Sequence, residues 1–318
     1  MSLPRVLIVT PALAAANNGN WHTAARWQTF LAGAADAQIA QAWDGEPVDG
    51  LIALHARRSA ESIARFHAAH PQRPLALVLT GTDLYRDIEK GDPSARHSLE
   101  CASHVVVLQH EALRRLSAVQ QAKARVIVQS AARVLRRDKA TDFVAVGHLR
   151  DEKDPLALME AARRLAEPLP IVHIGNPLDE ALAAAARRTM ADCPHYRWLG
   201  GLGAEETRQW IAGARALVHM SRMEGGANVV IEAVRSQVPV LASRIDGNVG
   251  LLGTGYEGYF SVGDAPALAA LMQRFAGDAA FAARLAEQCA ALEPQFAPEV
   301  EAKAVQALVA DLLATMQT

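Results

Sequence analysis

Short runs of Val, Ile and Leu alternate with Ala- and Arg-rich stretches of helical period, and this grammar runs twice along the chain. In the first half the strand-like runs fall at 5–10, 38–42, 50–55, 75–80, 104–108 and 125–128, with helical patterns at 23–31, 59–70 and 111–121 between them. Around Arg136-Arg137-Asp138-Lys139 the pattern turns polar and then restarts. The second set of strands is expected at 143–147, 171–175, 196–199, 216–220, 238–242 and 259–262. Its helices are expected at 155–166, 178–191, 204–213, 227–236, 265–276 and 278–291. Strand–helix alternation of this kind predicts parallel sheets covered by helices on both faces. The reading is therefore α/β, with two Rossmann-like domains at 1–138 and 139–298 whose parallel sheets face a central cleft. After Pro294 and Pro298 a last helix, about 299–318, is expected to pack back onto the first domain.

Composition narrows the function classes. Of 318 residues, 51% are hydrophobic and 21% charged, which suits a globular chain and not a disordered one. The formal net charge of −2 argues against nucleic acid as a partner. Residues 1–138 nevertheless carry 16 Lys and Arg against 12 Asp and Glu, and the remainder 16 against 22, so the first half suits an anion better. No apolar run approaches the roughly 18 residues of a membrane span. The basic stretch 57–67 has only Ile63 and Phe66 as bulky apolar members, so no stable membrane association is expected. Cys101, Cys193 and Cys289 are isolated, with no metal-ligand spacing and no disulfide framework. No bound metal or other cofactor is expected. Met1 leads almost directly into a strand, and the chain reads as cytoplasmic. The loop after the first strand lacks G-x-G-x-x-G, which argues against a dinucleotide-dependent oxidoreductase.

The most specific stretch runs from His219 to Ala233 and contains Glu224-Gly225-Gly226-Ala227-Asn228-Val229-Val230-Ile231-Glu232. A strand should end near Met220 and a helix begin near Ala227. The Gly pair lets backbone amides approach an anion, and the helix N-terminus adds partial positive charge. Glu224 and Glu232 are then two carboxylates able to accept hydrogen bonds from polyols. This stretch resembles the donor-binding E-x7-E motif of GT-B glycosyltransferases, in particular glycosyltransferase family four. The resemblance implies that Glu224 contacts the donor sugar, Glu232 the ribose, and amides near Asn228 and Val229 the diphosphate. The run Phe143 to Asp154 similarly resembles the family's strand followed by a G-R-L-x-x-E-K-G loop. There the basic residues neutralise the leaving diphosphate, a role that passes to Lys153. His148 stands at the family's Arg position and Arg150 follows two places later. Gly175, ending a strand, resembles the family's position near the uridine, and 246–250 a further loop near the donor.

The first domain departs from the family pattern. Its first loop holds Asn17, Asn18, Gly19 and Asn20, followed by His22 and Arg26 one helical turn apart. Asn18, Gly19, Asn20, His22 and Arg26 form a candidate small-anion pocket beside a helix N-terminus. At Thr80-Gly81-Thr82-Asp83 many family members carry His-Gly, so the usual His is replaced by Thr80. His22 or Asp83 is then the alternative base. The motifs N-N-G-N-W-H-T-A-x-R-W, L-T-G-T-D-L-Y and E-G-G-A-N-V-V-I-E-A together resemble the selenosugar synthase subgroup. That resemblance implies glycosyl transfer from UDP-N-acetylglucosamine to selenophosphate, with Glu224, Lys153 and His22 as the catalytic candidates. Donor contacts would come from Arg150, Lys153, Gly175, Glu224, Gly225, Gly226, Asn228, Val229 and Glu232. Acceptor contacts would add Thr80, Gly81 and Thr82 to the anion pocket. A glycosyltransferase with a hydroxyl acceptor, and a degenerate scaffold without turnover, are the alternatives.

Overall fold

A computed structural model describes residues 3–14, 19–134 and 141–314. The chain divides into two compact units, Met1–Gln129 with Pro298–Thr318, and Ser130–Ala297. The change of unit falls at 129–130, and the boundary expected at 138–139 lies in residues outside the description. The buried Gln129 side chain donates to Thr23 in the first unit, whereas the Ala131 amide donates to the Phe296 carbonyl in the second.

The first unit is a six-stranded parallel sheet of order β2-β1-β3-β4-β5-β6. The strands are β1 (Arg5–Val9), β2 (Asp36–Ala40), β3 (Gly50–Leu54), β4 (Leu75–Val78), β5 (His104–Val107) and β6 (Ala124–Val126). Successive strand residues point to opposite faces, and both faces are buried. Val6, Ile8, Ile52 and Leu54 meet Trp27 of α1 (Gly19–Phe30), Leu31 just after it, and Val305, Leu308 and Leu312 of α12 (Pro298–Ala314). Leu7, Val9, Leu51 and Ala53 share the other core with Ile63 and Phe66 of α2 (Ala60–Ala69) and with Leu99 of α3 (Pro93–Cys101). α12 is fastened by buried Glu301, which accepts hydrogen bonds from Arg26 and from the Trp27 indole of α1.

The second unit is also a six-stranded parallel sheet, of order β12-β11-β10-β7-β8-β9. Its strands are β7 (Phe143–Val146), β8 (Ile171–Ile174), β9 (Tyr196–Trp198), β10 (Ala216–His219), β11 (Val240–Ser243) and β12 (Tyr259–Phe260). The helices are α5 (Pro155–Arg164), α6 (Glu180–Asp192), α7 (Ala204–Gly213), α8 (Asn228–Arg235), α9 (Asp246–Leu252), α10 (Ala265–Gly277) and α11 (Ala279–Leu292). Chain order reverses between β7 and β10, so the loops after these strands diverge and leave a crevice at their carboxyl ends.

Three local expectations are corrected. The helix expected at 111–121 is a 3-10 segment, His110–Arg115, followed by α4 (Ala118–Ala122). Ser117 and Gln120 form a reciprocal capping box that starts a new helix after an extended Leu116. Residues 246–250, read as a loop, are the first turns of α9. α1 begins at Gly19, four residues before the expected start. Among the described residues, no helix is long and apolar enough to cross a membrane.

Candidate active site

In the second unit the loops after β7 and β10 bring Lys153 and Glu224 together. β7 is followed by Gly147, His148, Leu149 and Arg150, then a 3-10 turn at Asp151–Lys153. Lys153 Nζ donates to Glu224 Oε1 at 2.5 Å, and both side chains are largely buried, 19% and 12% exposed. His219, the last residue of β10, places Nε2 3.4 Å from the same Glu224 oxygen. Ser221 Oγ lies 3.3 Å from that Nε2. His219 Nδ1 is buried and has no partner, which assigns the ring proton to Nε2 as the donor toward Glu224. Burial on its own would raise the Glu224 carboxyl. The Lys153 ammonium and the bond from His219 override it and hold the group far below the usual carboxylate range.

Two glycines let this corner close up. A Cβ on Gly175, at the end of β8, would stand 1.9 Å from the Gly147 carbonyl oxygen. A Cβ on Gly247, in the first turn of α9, would stand 2.3 Å from the Glu224 carbonyl oxygen. Glu224 is thus gripped through its backbone as well as its carboxylate.

Beside this pair the His148 ring accepts a hydrogen bond at Nδ1 from the Asn176 amide, at 3.1 Å. Burial, with the charges of Arg150 and Lys153, lowers its pKa, so His148 is neutral and offers an Nε2 proton. Arg150 Nε is buried without a hydrogen bond and lies 3.8 Å from Glu152 Oε2. Arg222 Nη2 donates to Asp154 Oδ1 at 2.9 Å, and Asp154 itself sits at a left-handed φ of 47° before α5. α8 starts at Asn228, after buried Gly225, half-buried Gly226 and the N-cap residue Ala227, whose side chain makes no cap bond. The first-turn amides of a helix point outward from its N-terminus and give it partial positive charge. Glu232 follows one turn along α8 and is half-buried.

In the first unit the expected anion pocket is not assembled as expected. Asn18 lies outside the described residues; Gly19, Asn20 and His22 form the first turn of α1. The Arg26 guanidinium is engaged with Glu301 at 2.7 and 3.1 Å, so its charge is already neutralised by a carboxylate from α12. Arg26 thereby fastens α12 to α1. Asp83, the alternative base, is fully buried and accepts three hydrogen bonds: Oδ1 from the Thr80 amide and hydroxyl, Oδ2 from the Ala56 amide. It pins the ends of β3 and β4 together and exposes no surface to solvent. Thr80 spends its hydroxyl proton on Asp83, while Gly81 and Thr82 remain half-buried at the carboxyl end of β4.

Sequence reasoning missed two histidines. His219 was hidden in the apolar run Ala216–His219, and its only signal is a polar residue at the last position of a fully buried strand. His55 follows β3 with a φ of 74° and is 1% exposed. Burial lowers its pKa despite the nearby Asp83 carboxylate, and the Arg58 charge adds to the lowering.

Known proteins resemble this chain in ways that fit the site. Residues 140–278, which include Lys153, Glu224 and Glu232, match the sequence family described as Glycosyl transferases group 1. A curated relative from Xenopus tropicalis, Glycosyltransferase 1 domain-containing protein 1, is 26% identical over 206 residues, 56% of this chain. The chain spans 59% of that relative's length. Among solved structures, Anabaena HepE in complex with UDP-glucose is 14% identical with a TM-score of 0.76, covering 97% of this chain and 100% of HepE. Sucrose-phosphate synthase from Thermosynechococcus elongatus is 16% identical with a TM-score of 0.75, covering 98% and 99%. The pneumococcal O-GlcNAc transferase GtfA, in complex with UDP and GlcNAc, is 17% identical with a TM-score of 0.66, covering 83% and 57%. The chain has the GT-B fold of two Rossmann-like domains, and the match to the group 1 glycosyl transferase family falls within its second unit.

Proposed function

We propose that this protein is a glycosyltransferase that takes its sugar from a UDP-sugar held by the second unit. The observation that carries the reading is the Lys153–Glu224 pair at the strand-order reversal of the second sheet. A cation held by a carboxylate can exchange that partner for a diphosphate without bringing a bare charge out of water. Lys153 and Arg150 neutralise the diphosphate, and His148 donates to it as a neutral ring. The amides of Asn228 and Val229 add the α8 terminus. Glu224, released from Lys153, accepts from the sugar hydroxyls, and Glu232 accepts from the ribose. UDP in the HepE and GtfA complexes supports uridine as the base.

In finer detail, the donor is UDP-N-acetylglucosamine and the acceptor is selenophosphate, held by the first unit. Selenium attacks the anomeric carbon, a C–Se bond forms, and the bond from that carbon to the UDP oxygen breaks. Water then cleaves the Se–P bond and phosphate leaves with a proton balance set by the medium. The first-unit motifs support this acceptor, as does Thr80 in place of a His, because an anionic selenium needs no base to remove a proton.

UDP release is measured with UDP-N-acetylglucosamine, with and without selenophosphate, with mass spectrometry of the products. Selenophosphate-dependent release and a selenium-containing sugar are expected. Release driven instead by a hydroxyl acceptor would keep the donor reading and replace the acceptor. No release with any acceptor would remove both.

A further inference from the structure

The carboxyl ends of β3 and β4 present one hydroxyl whose orientation is fixed from behind. His55 lies at the end of β3, buried, in a left-handed conformation that a residue with a side chain adopts only under constraint. The Arg58 backbone N–H donates to His55 Nδ1 at 3.3 Å, which makes Nδ1 the unprotonated nitrogen. The ring proton then sits on Nε2, 3.0 Å from the Thr82 hydroxyl oxygen. Thr82 accepts that proton and keeps its own to donate. Among the described residues the Thr82 hydroxyl makes no hydrogen bond other than the one with His55, so its own proton is not spent locally. Thr80, two residues earlier, has its hydroxyl proton on Asp83. A small imidazole-backed donor is thus held at the strand ends by groups that the sheet itself positions.

We infer that His55 is a positioning residue that fixes Thr82 as the hydrogen-bond donor to an anionic acceptor, selenophosphate by the reading above. The inference rests on that reading. It gives Thr82, one of the candidate acceptor contacts, a fixed donor role. A donor that cannot swing away and is not itself charged suits an acceptor whose nucleophilic atom must stay free of a proton.

The test is a double-mutant cycle on the full chain, with UDP-N-acetylglucosamine and selenophosphate as substrates and UDP binding measured in parallel. His55→Gly removes the imidazole and relieves the left-handed backbone, and the parallel UDP binding reports whether each variant is folded. Thr82→Val removes the hydroxyl. Each single variant is expected to raise the selenophosphate KM about tenfold, as for loss of one well-placed hydrogen bond, with the UDP Kd unchanged. The double variant is expected to be no worse than either single one, because His55 acts through Thr82. Thr82→Ser, and His55→Asn, which tolerates the same backbone and restores a donor, are expected to recover most of the affinity. Multiplying losses in the double variant, or a His55→Gly protein with the wild-type KM, would overturn the inference while leaving the proposed function intact. A wild-type protein indifferent to selenophosphate would overturn the acceptor reading and this inference with it.

Discussion

Replacing Lys153 with Met keeps the length of the side chain and removes its charge. Glu224 is left largely buried, facing only His219 and the backbone of Gly247. Breaking a fully buried ion pair from one side costs about 3–5 kcal/mol. With side chains 19% and 12% exposed the cost should be lower, about 1–3 kcal/mol at pH 7. The pH dependence follows from the two carboxyl states. In the wild type the Glu224 pKa is depressed, so the pair contributes stability that is fully present above the unfolded carboxylate pKa and is lost only as pH falls from there to the depressed folded pKa. In the variant burial is no longer opposed by the ammonium, the carboxyl titrates at higher pH than in the wild type, and acidification neutralises it. The stability gap between the two proteins should therefore be widest at pH 7 and close towards pH 4.5. Urea unfolding at several pH values measures it. A second substitution, Glu224→Gln, on the Lys153→Met background should recover most of the stability at pH 7 and none of the UDP affinity. Loss of one charge-assisted phosphate contact, about 1.5–3 kcal/mol, corresponds to roughly 10- to 150-fold in Kd. A gap that is absent at pH 7, or constant down to pH 4.5, would refute the coupling of Lys153 to Glu224.

Arg26→Ala removes both guanidinium bonds from the 1%-exposed Glu301, and should cost about 2–4 kcal/mol in unfolding free energy, with the UDP Kd by calorimetry unchanged. Gly175→Ala puts a methyl 1.9 Å from the Gly147 carbonyl oxygen, so the β7 and β8 ends must part; loss of UDP binding with retained helical circular dichroism is expected. Glu232→Ala should weaken UDP about tenfold while leaving thermal stability within about 1 kcal/mol, and a 2′-deoxy-UDP probe should bind wild type and variant more nearly alike.

Most strands could be read from the sequence because their residues are buried on both faces and run as unbroken Val, Ile and Leu. β2 is the weak case: Asp36, Gln38 and half-buried neighbours give little pattern, and the strand lies two residues earlier than expected. α3 was not legible, since its buried positions include small or polar residues, Ala95, Ser98 and Cys101, that carry no apolar stripe. The donor-site residues Lys153 and Glu224 were legible as motif positions, but their direct bond spans 71 positions and is a property of the fold. The ion pair of Arg26 was hidden for the same reason. Its helix-mate His22 sits one turn away, whereas the carboxylate that claims it lies 275 positions on. His55 and Asp83 likewise become meaningful only when β3 and β4 pair side by side.

A crystal structure with UDP bound tests the central claim most directly. The account predicts the diphosphate at the carboxyl ends of β7 and β10, within hydrogen-bond distance of Lys153 Nζ and the first amides of α8. Lys153 should have left Glu224 to meet it. UDP seated elsewhere, or bound with the Lys153–Glu224 pair undisturbed and no contact to α8, would contradict it.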